Sequence, residues 1–348
     1  MSVRHRVLVV DDSAFARKVL REILSGDPRL EVVGFARDGL DALEKIDELK
    51  PDVVTLDLVM PELDGVGVLR ALAERGGGPR VVIVTMTDAE SALGVAALDT
   101  GAIDVVHKPT ALATDRLYEL GGELVEKVVA AAEARSAPRA MTVRRQRSVP
   151  PPVSVPKKPT KTRLIVIGAS TGGPRALTEI LAALPANFPV PIAAVVHMPV
   201  GYTEAFATRL DGSALLHVRE ASNGTVIEPG TVTLGRAGMH LRVRLVSGSL
   251  VALLDSSPEE SLHRPSVDVL FESAAQELGG DVLGVVLTGM GTDGLEGARA
   301  LHRAGGRLLV EAESSCVVYG MPRAVAEDNL GAEAFPLELM VPAILERI

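Results

Sequence analysis

Gly168-Ala-Ser170-Thr-Gly-Gly173 lies between the apolar run Leu164-Ile-Val-Ile167 and a helical pattern expected to open near Ala176. An unbroken apolar run of this kind predicts a buried strand of a parallel sheet. Pro174 suits the first turn of the helix that follows. Such a strand-to-helix turn stands Ser170 at the carboxyl edge of an α/β sheet, where glycines leave room for a substrate. Residues 168 to 172 fit Gly-x-Ser-x-Gly, as in a nucleophile elbow. The same turn also suits phosphate, held by backbone N–H groups at the helix N-terminus. On this segment alone both readings stand.

Composition narrows the field. At 348 residues, two domains are the natural expectation. Hydrophobic residues make up 47% and charged residues 23%, the balance of a core-forming globular protein. The single cysteine, Cys316, excludes a disulfide framework and a cysteine-based zinc site, and suits a reducing cytosol. The N-terminus shows no signal-peptide h-region, and no uncharged apolar stretch is long enough to span a membrane. A net charge of −9, the absence of Trp and only 3% aromatic residues argue against a nucleic-acid binder. The expectation is a cytoplasmic protein with no direct membrane insertion.

The chain changes character over residues 133–162. Six prolines and a cluster of cations (Arg144, Arg145, Arg147, Lys157, Lys158) leave few large apolar groups there, which predicts an extended linker. It separates an N-terminal unit over 1–132 from a C-terminal unit over 163–348. In the N-terminal unit, strand-like runs at Arg6–Val10, Val32–Phe35, Val53–Leu56, Val81–Val84 and Ile103–Val106 alternate with helical patterns. Such alternation predicts a doubly wound, five-stranded parallel sheet, with function at the carboxyl ends of the strands. Asp11 and Asp12 end the first run, Asp57 the third and Thr85 the fourth, and Lys108 follows the fifth. Converging carboxylates repel one another unless a hard divalent cation neutralises them, and Mg²⁺ is the natural choice. The lysine and the threonine complete a pocket for a phosphoryl group. Taken singly, each aspartate could be a turn or cap residue, as Asp12-Ser13 before the first helix.

The segment Leu56-Asp-Leu-Val-Met-Pro-Glu-Leu-Asp-Gly65, with Asp11-Asp12 before it and Lys108-Pro109 after it, resembles a response-regulator receiver domain. The resemblance covers roughly residues 5 to 125. It implies Asp57 as phospho-acceptor, with Asp11 and Asp12 helping to hold Mg²⁺ and Thr85 and Lys108 sensing the phosphoryl group. One departure is visible: Asp104-Val-Val-His107 stands where many receivers carry an aromatic switch residue.

In the C-terminal unit, Ile192-Ala-Ala-Val-Val196 is a second buried run and ends in His197-Met-Pro199. A histidine beside the serine strand can act as general base near neutrality, although a histidine taken alone is more often a structural or surface one. A third run, Val282–Leu287, leads into Thr288-Gly-Met-Gly-Thr-Asp293-Gly294, where Asp293 could also be an ordinary helix cap. Together the three turns offer Ser170 as nucleophile, His197 as base and Asp293 as orienting carboxylate. The order Ser, His, Asp differs from that of α/β-hydrolases. A nucleotide site would need an acid where His197 stands. Leu241–Val246 and Leu250–Leu254 around Ser247-Gly248 predict a hairpin, expected to run antiparallel to a mostly parallel main sheet.

Gly168–Gly173, His197-Met-Pro199, His263-Arg-Pro-Ser-Val-Asp268, Leu287–Gly294 and Val318-Tyr-Gly-Met-Pro322 resemble the catalytic domain of the chemotaxis protein-glutamate methylesterases. The resemblance spans roughly residues 163 to 347, and the receiver–linker–esterase order matches. Two departures are Val196, where the family often has glutamine, and Gly235-Arg-Ala-Gly238 near His240. The resemblance implies demethylation of glutamate methyl esters on chemoreceptors, with deamidation of glutamine beside it and a chemotaxis histidine kinase as phosphodonor. It implies backbone N–H groups of Thr171 and Met290 as oxyanion donors, and no cofactor for the esterase. The alternative is a non-enzymatic two-component signalling protein whose C-terminal unit only binds a ligand or partner.

Overall fold

The computed structural model describes residues 4–85, 91–108, 114–134 and 162–348. It divides into two compact units, Met1–Ala134 and Arg135–Ile348. The linker expected over 133–162 lies outside the described residues save for residues 133, 134 and 162. Among the described residues, no helix is long and apolar enough to cross a membrane.

The first unit runs β1 (His5–Val10), α1 (Ala14–Ser25), β2 (Leu30–Ala36), α2 (Gly39–Leu49), β3 (Val53–Leu56) and α3 (Gly65–Glu74). It continues with β4 (Arg80–Thr85), α4 (Ser91–Thr100), β5 (Asp104–His107) and α5 (Thr114–Glu133). The five strands pair in parallel in the order β2-β1-β3-β4-β5. Their apolar residues, such as Val7, Val9, Val53, Val82 and Val84, form one core with Leu20, Leu24, Leu124 and Val128 of α1 and α5. Ser13 caps α1 by accepting the Ala16 N–H, so the cap suggested for Asp12-Ser13 falls to the serine.

The second unit opens with β6 (Leu164–Ala169), α6 (Gly173–Ala183), β7 (Ile192–Val196) and α7 (Tyr202–Ser213). There follow β8 (His217–Glu220), β9 (Thr231–Leu234), β10 (His240–Val246), β11 (Ser249–Asp255) and α8 (Val267–Leu278). The chain ends through β12 (Val282–Val286), α9 (Leu295–Arg303), β13 (Arg307–Glu311), α10 (Met321–Glu327), β14 (Glu333–Phe335) and α11 (Leu337–Leu345). Seven of these strands form a sheet in the order β14-β13-β12-β6-β7-β9-β8, with parallel neighbours throughout. The chain leaves β6 toward β7 and later returns through β12 on the other side. The carboxyl end of β6 is thus the switch point of the sheet, where ligands gather in such folds.

The hairpin β10–β11 is a separate two-stranded sheet and does not extend the main one. It is held against α8, where the Val243 N–H donates to Ser273 Oγ at 3.0 Å. The reason lies in α8 itself. Val267, Leu270, Phe271, Ala274 and Leu278 recur at helical spacing and are all buried, joining residues of β6, β10 and β12 in one core. Full burial of Leu270 or Phe271 stabilises the unit by roughly 1.5–3 kcal/mol each.

Helix α6 starts at Gly173, earlier than the expected Ala176, because Gly172 takes φ +78° and Pro174 fits the first turn. A Cβ on Gly172 would stand 2.6 Å from Val317 Cβ. Gly172→Ala is therefore expected to lower the unfolding free energy of the C-terminal unit by more than about 1 kcal/mol. Denaturant unfolding of the full chain checks this, and an unchanged C-terminal transition would contradict it.

Candidate active site

Three adjacent strands, β12, β6 and β7, each end in one polar loop. Ser170 follows β6, and its N–H donates to the Thr288 carbonyl of the β12 loop at 3.0 Å. Gly289 is required here by close approach, since a Cβ on it would lie 2.8 Å from Ser170 Cβ and 2.4 Å from Met321 Sδ. His197 follows β7, and its N–H extends the ladder to the Ala169 carbonyl at 3.1 Å. Its ring meets Asp293 of the β12 loop, with Nε2 2.8 Å from Oδ2. The other ring nitrogen, Nδ1, is buried and makes no hydrogen bond among the described residues. The imidazole is therefore turned the opposite way from chymotrypsin-type triads, where Nδ1 faces the aspartate.

Asp293 does not cap the helix that follows it. Its Oδ2 also accepts the Val267 N–H at 2.7 Å, and Oδ1 accepts the Asp268 N–H at 3.0 Å and the Ser266 hydroxyl at 2.8 Å. It thus caps α8, which begins elsewhere in the sequence. In return Asp268, in the first turn of α8, accepts the Gly294 and Gly297 N–H groups at 2.9 and 2.7 Å and so caps α9. Each carboxylate sits at the positive end of the other's helix. Burial pushes Asp293 upward, but the bond to His197 and the backbone donors prevail and hold it well below the usual carboxylate range. For Asp268 burial prevails, reinforced by the Asp293 charge, and pushes the carboxyl up to about 7.

Two further histidines support this arrangement, and the sequence pattern gives neither of them a role of its own. His263 stacks on His197, with ring centroids 4.0 Å apart and planes 21° from parallel. His240 is fully buried; its Nδ1 accepts the Ser266 N–H at 3.2 Å and its Nε2 faces the Pro258 carbonyl at 3.2 Å. Burial lowers its pKa, which suits the neutral tautomer those two contacts demand. The only sequence signal for them was their place in His263–Asp268 and next to the hairpin. Thr171 is buried beside Ser170, and no described residue accepts the Met290 N–H.

The receiver unit brings its five predicted groups to one sheet edge as well. Asp57 is buried at the end of β3, and Lys108 Nζ reaches its Oδ2 at 2.6 Å and Asp11 Oδ2 at 2.8 Å. Burial raises the Asp57 pKa against the opposing pull of Lys108. Burial also works against the Lys108 charge, but Asp11 and Asp57 outweigh it and raise its pKa. Thr85 is buried at the end of β4, and its carbonyl accepts the Lys108 N–H. Ligand atoms of Asp11, Asp12 and Asp57 all lie within 4.8 Å of one another. Three carboxylates of that spacing are an oxygen donor set that fits a hard divalent cation. Where an aromatic switch was missing, Asp104 instead forms a buried ion pair with Lys127 of α5 at 3.1 Å.

With this geometry in view, the similarities are specific. A family profile described as CheB methylesterase matches residues 165–344. Another, for the response regulator receiver domain, matches residues 7–119. The chain belongs to the CheB methylesterase family. A Myxococcus xanthus protein named protein-glutamate methylesterase/protein-glutamine glutaminase 5 is 58% identical over 98% of this chain and 97% of its own length. A Geobacillus kaustophilus protein of the same name, without the number, is 43% identical over 99% and 98%. Among solved structures, the Thermotoga maritima CheB methylesterase catalytic domain matches 54% of this chain and 99% of its own, with a TM-score of 0.53 and 38% identity. The chain is thus an enzyme of the methylesterase class carrying a receiver domain, and the non-enzymatic alternative is not favoured.

The capped carboxylate pair has a pH signature. A carboxyl raised from about 4 in the unfolded chain to about 7 in the fold makes the native state hold the extra proton between those values. The stability it contributes is full below about pH 4 and is lost as pH rises through the folded pKa. Asp293 acts in the opposite sense, below that window. Asp268→Asn keeps an oxygen for the Gly294 and Gly297 N–H groups and is expected to flatten the slope of unfolding free energy over about pH 4 to 7. Equal slopes for the two proteins would show that Asp268 titrates normally.

Proposed function

We propose that Ser170, His197 and Asp293 hydrolyse glutamate methyl esters on chemoreceptors, and glutamine side-chain amides beside them, under control of phosphorylation at Asp57. The observation that carries this reading is the His197–Asp293 pair at the strand end next to Ser170, with the second imidazole nitrogen buried and open. Ser170 Oγ attacks the ester carbonyl while its proton passes to His197 Nδ1. The imidazolium that forms is stabilised through Nε2–H by Asp293, which the α8 N-terminus and Ser266 keep ionised. The oxyanion is held by the N–H groups of Thr171 and Met290. Collapse returns the proton to the methoxy group, releasing methanol, and water hydrolyses the acyl-enzyme to free glutamate. With glutamine the leaving group is ammonia.

In the receiver unit, Asp57 accepts the phosphoryl group from a histidine kinase, and Lys108 and Thr85 sense it. Asp11, Asp12 and Asp57 would hold Mg²⁺, which neutralises the charge gathered at the transferring phosphoryl group. Lys108 already bridges Asp11 and Asp57, so a phosphoryl group on Asp57 must compete with Asp11 for it. The cytoplasm is where receptor tails and kinase would meet this chain.

Ser170→Ala and His197→Ala are each expected to cut methanol release from methylated receptor membranes by at least about a thousandfold, with Asp293→Ala milder and double variants little worse than the worst single one. Near-normal release by Ser170→Ala would refute the assignment. For the receiver, phosphate incorporation from acetyl phosphate should vanish in Asp57→Asn and in excess EDTA. Incorporation unchanged by either would sink the role given to the acidic cluster.

A further inference from the structure

Glu311 ends β13 with no exposed surface, directly after the buried apolar residues Leu308, Leu309 and Val310. Burying a carboxylate costs several kcal/mol unless hydrogen bonds compensate. Two donors offset part of that cost here: the Thr288 N–H reaches Oε2 at 2.9 Å, and the Ser315 hydroxyl reaches Oε1 at 2.9 Å, while burial still prevails and raises the Glu311 pKa. The β12–β13 ladder stops at Val286 and Val310, so Thr288 lies past its end and has no strand partner on that side. The carboxylate takes the place of that missing ladder bond.

Thr288 is itself buried and uses every polar group it has. Its carbonyl accepts the Ser170 N–H at 3.0 Å, its hydroxyl donates to the Thr171 carbonyl at 3.0 Å, and that hydroxyl accepts the Val318 N–H at 2.9 Å. The Gly289 N–H donates to the Val318 carbonyl at 3.0 Å, and the Gly289 carbonyl accepts the Met321 N–H at 2.8 Å. Thr288 therefore ties the Ser170–Thr171 turn to the loop that carries Met290, the two segments offered above as the oxyanion donors.

We propose that Glu311 is a positioning residue for the oxyanion hole, fixing the height and tilt of Thr288 and, through it, the spacing of the Thr171 and Met290 N–H groups. The inference rests on Ser170 as nucleophile. What the position needs is an acceptor facing Thr288, not a charge. A glutamine oxygen can take the Thr288 N–H while its amide faces Ser315 Oγ, which also has the Ala312 carbonyl to donate to at 3.3 Å.

The test uses the full chain, with turnover read per active site titrated by a serine-directed phosphonate, so that misfolded protein does not count as lost activity. Glu311→Leu and Glu311→Met are both expected to lower kcat by about tenfold or more with KM within about twofold, because donors displaced by a fraction of an ångström stabilise the transition state less. Glu311→Gln is expected to stay within about threefold of the parent. Unchanged kcat in the apolar variant that folds, a loss confined to KM, or an equal loss in Glu311→Gln would each overturn the proposal. Ser170→Ala is run alongside: its inactivity with unaffected apolar variants refutes the Glu311 role alone, whereas its activity refutes the triad.

Discussion

The proposed triad depends on keeping one buried carboxylate, that of Asp293, ionised and still. An isolated carboxylate at that depth would take up a proton and lose its hold on His197. Two backbone N–H groups of α8, the Ser266 hydroxyl and His197 itself prevent this. Those donors exist only because α8 begins beside the β12 loop. That position follows from its apolar face on the sheet and from His240 behind Ser266. The reciprocal cap from Asp268 onto α9 fixes the other side of the same loop. Chemistry and packing thus meet in one pair of helix N-termini.

Much of this was legible in the sequence. Three apolar runs, each ending in a Gly-rich or polar turn, announced parallel strands with Ser170, His197 and Asp293 at their carboxyl ends. The structure sets β12, β6 and β7 side by side. The receiver strands were equally plain, because buried parallel strands read as unbroken apolar runs. Less visible were β8, β9, β13 and β14, strands of three to five residues, too short for a period to stand out. The alternation around Ser247-Gly248 marks the hairpin, but its independence from the main sheet rests on contacts with α8 that no local pattern encodes.

The supporting residues were the harder part. Asp293 in the Gly291-Thr-Asp-Gly294 turn before a helix has the local signature of an N-cap, yet the cap is supplied by Asp268 from α8. Ser266, Thr288 and Glu311 work through hydrogen bonds between segments that are distant in sequence, and each looks ordinary where it stands. Only burial singles them out, above all for Glu311. In the receiver, Asp104 and Lys127 form a buried ion pair between β5 and α5 near the place where an aromatic switch was missing. That contact gives α5 a direct tie to the strand that precedes Lys108.

In the proposed serine hydrolase triad, His197 serves Ser170 through Nδ1 and Asp293 through Nε2. The most direct measurement is a crystal structure of the chain inactivated by a phosphonate that mimics the tetrahedral intermediate. Phosphorus is expected on Ser170 Oγ, the phosphonyl oxygen between the Thr171 and Met290 N–H groups, and His197 Nδ1 facing the adduct with Nε2 still on Asp293. An adduct on another residue, or an imidazole flipped so that Nδ1 meets Asp293, would contradict it.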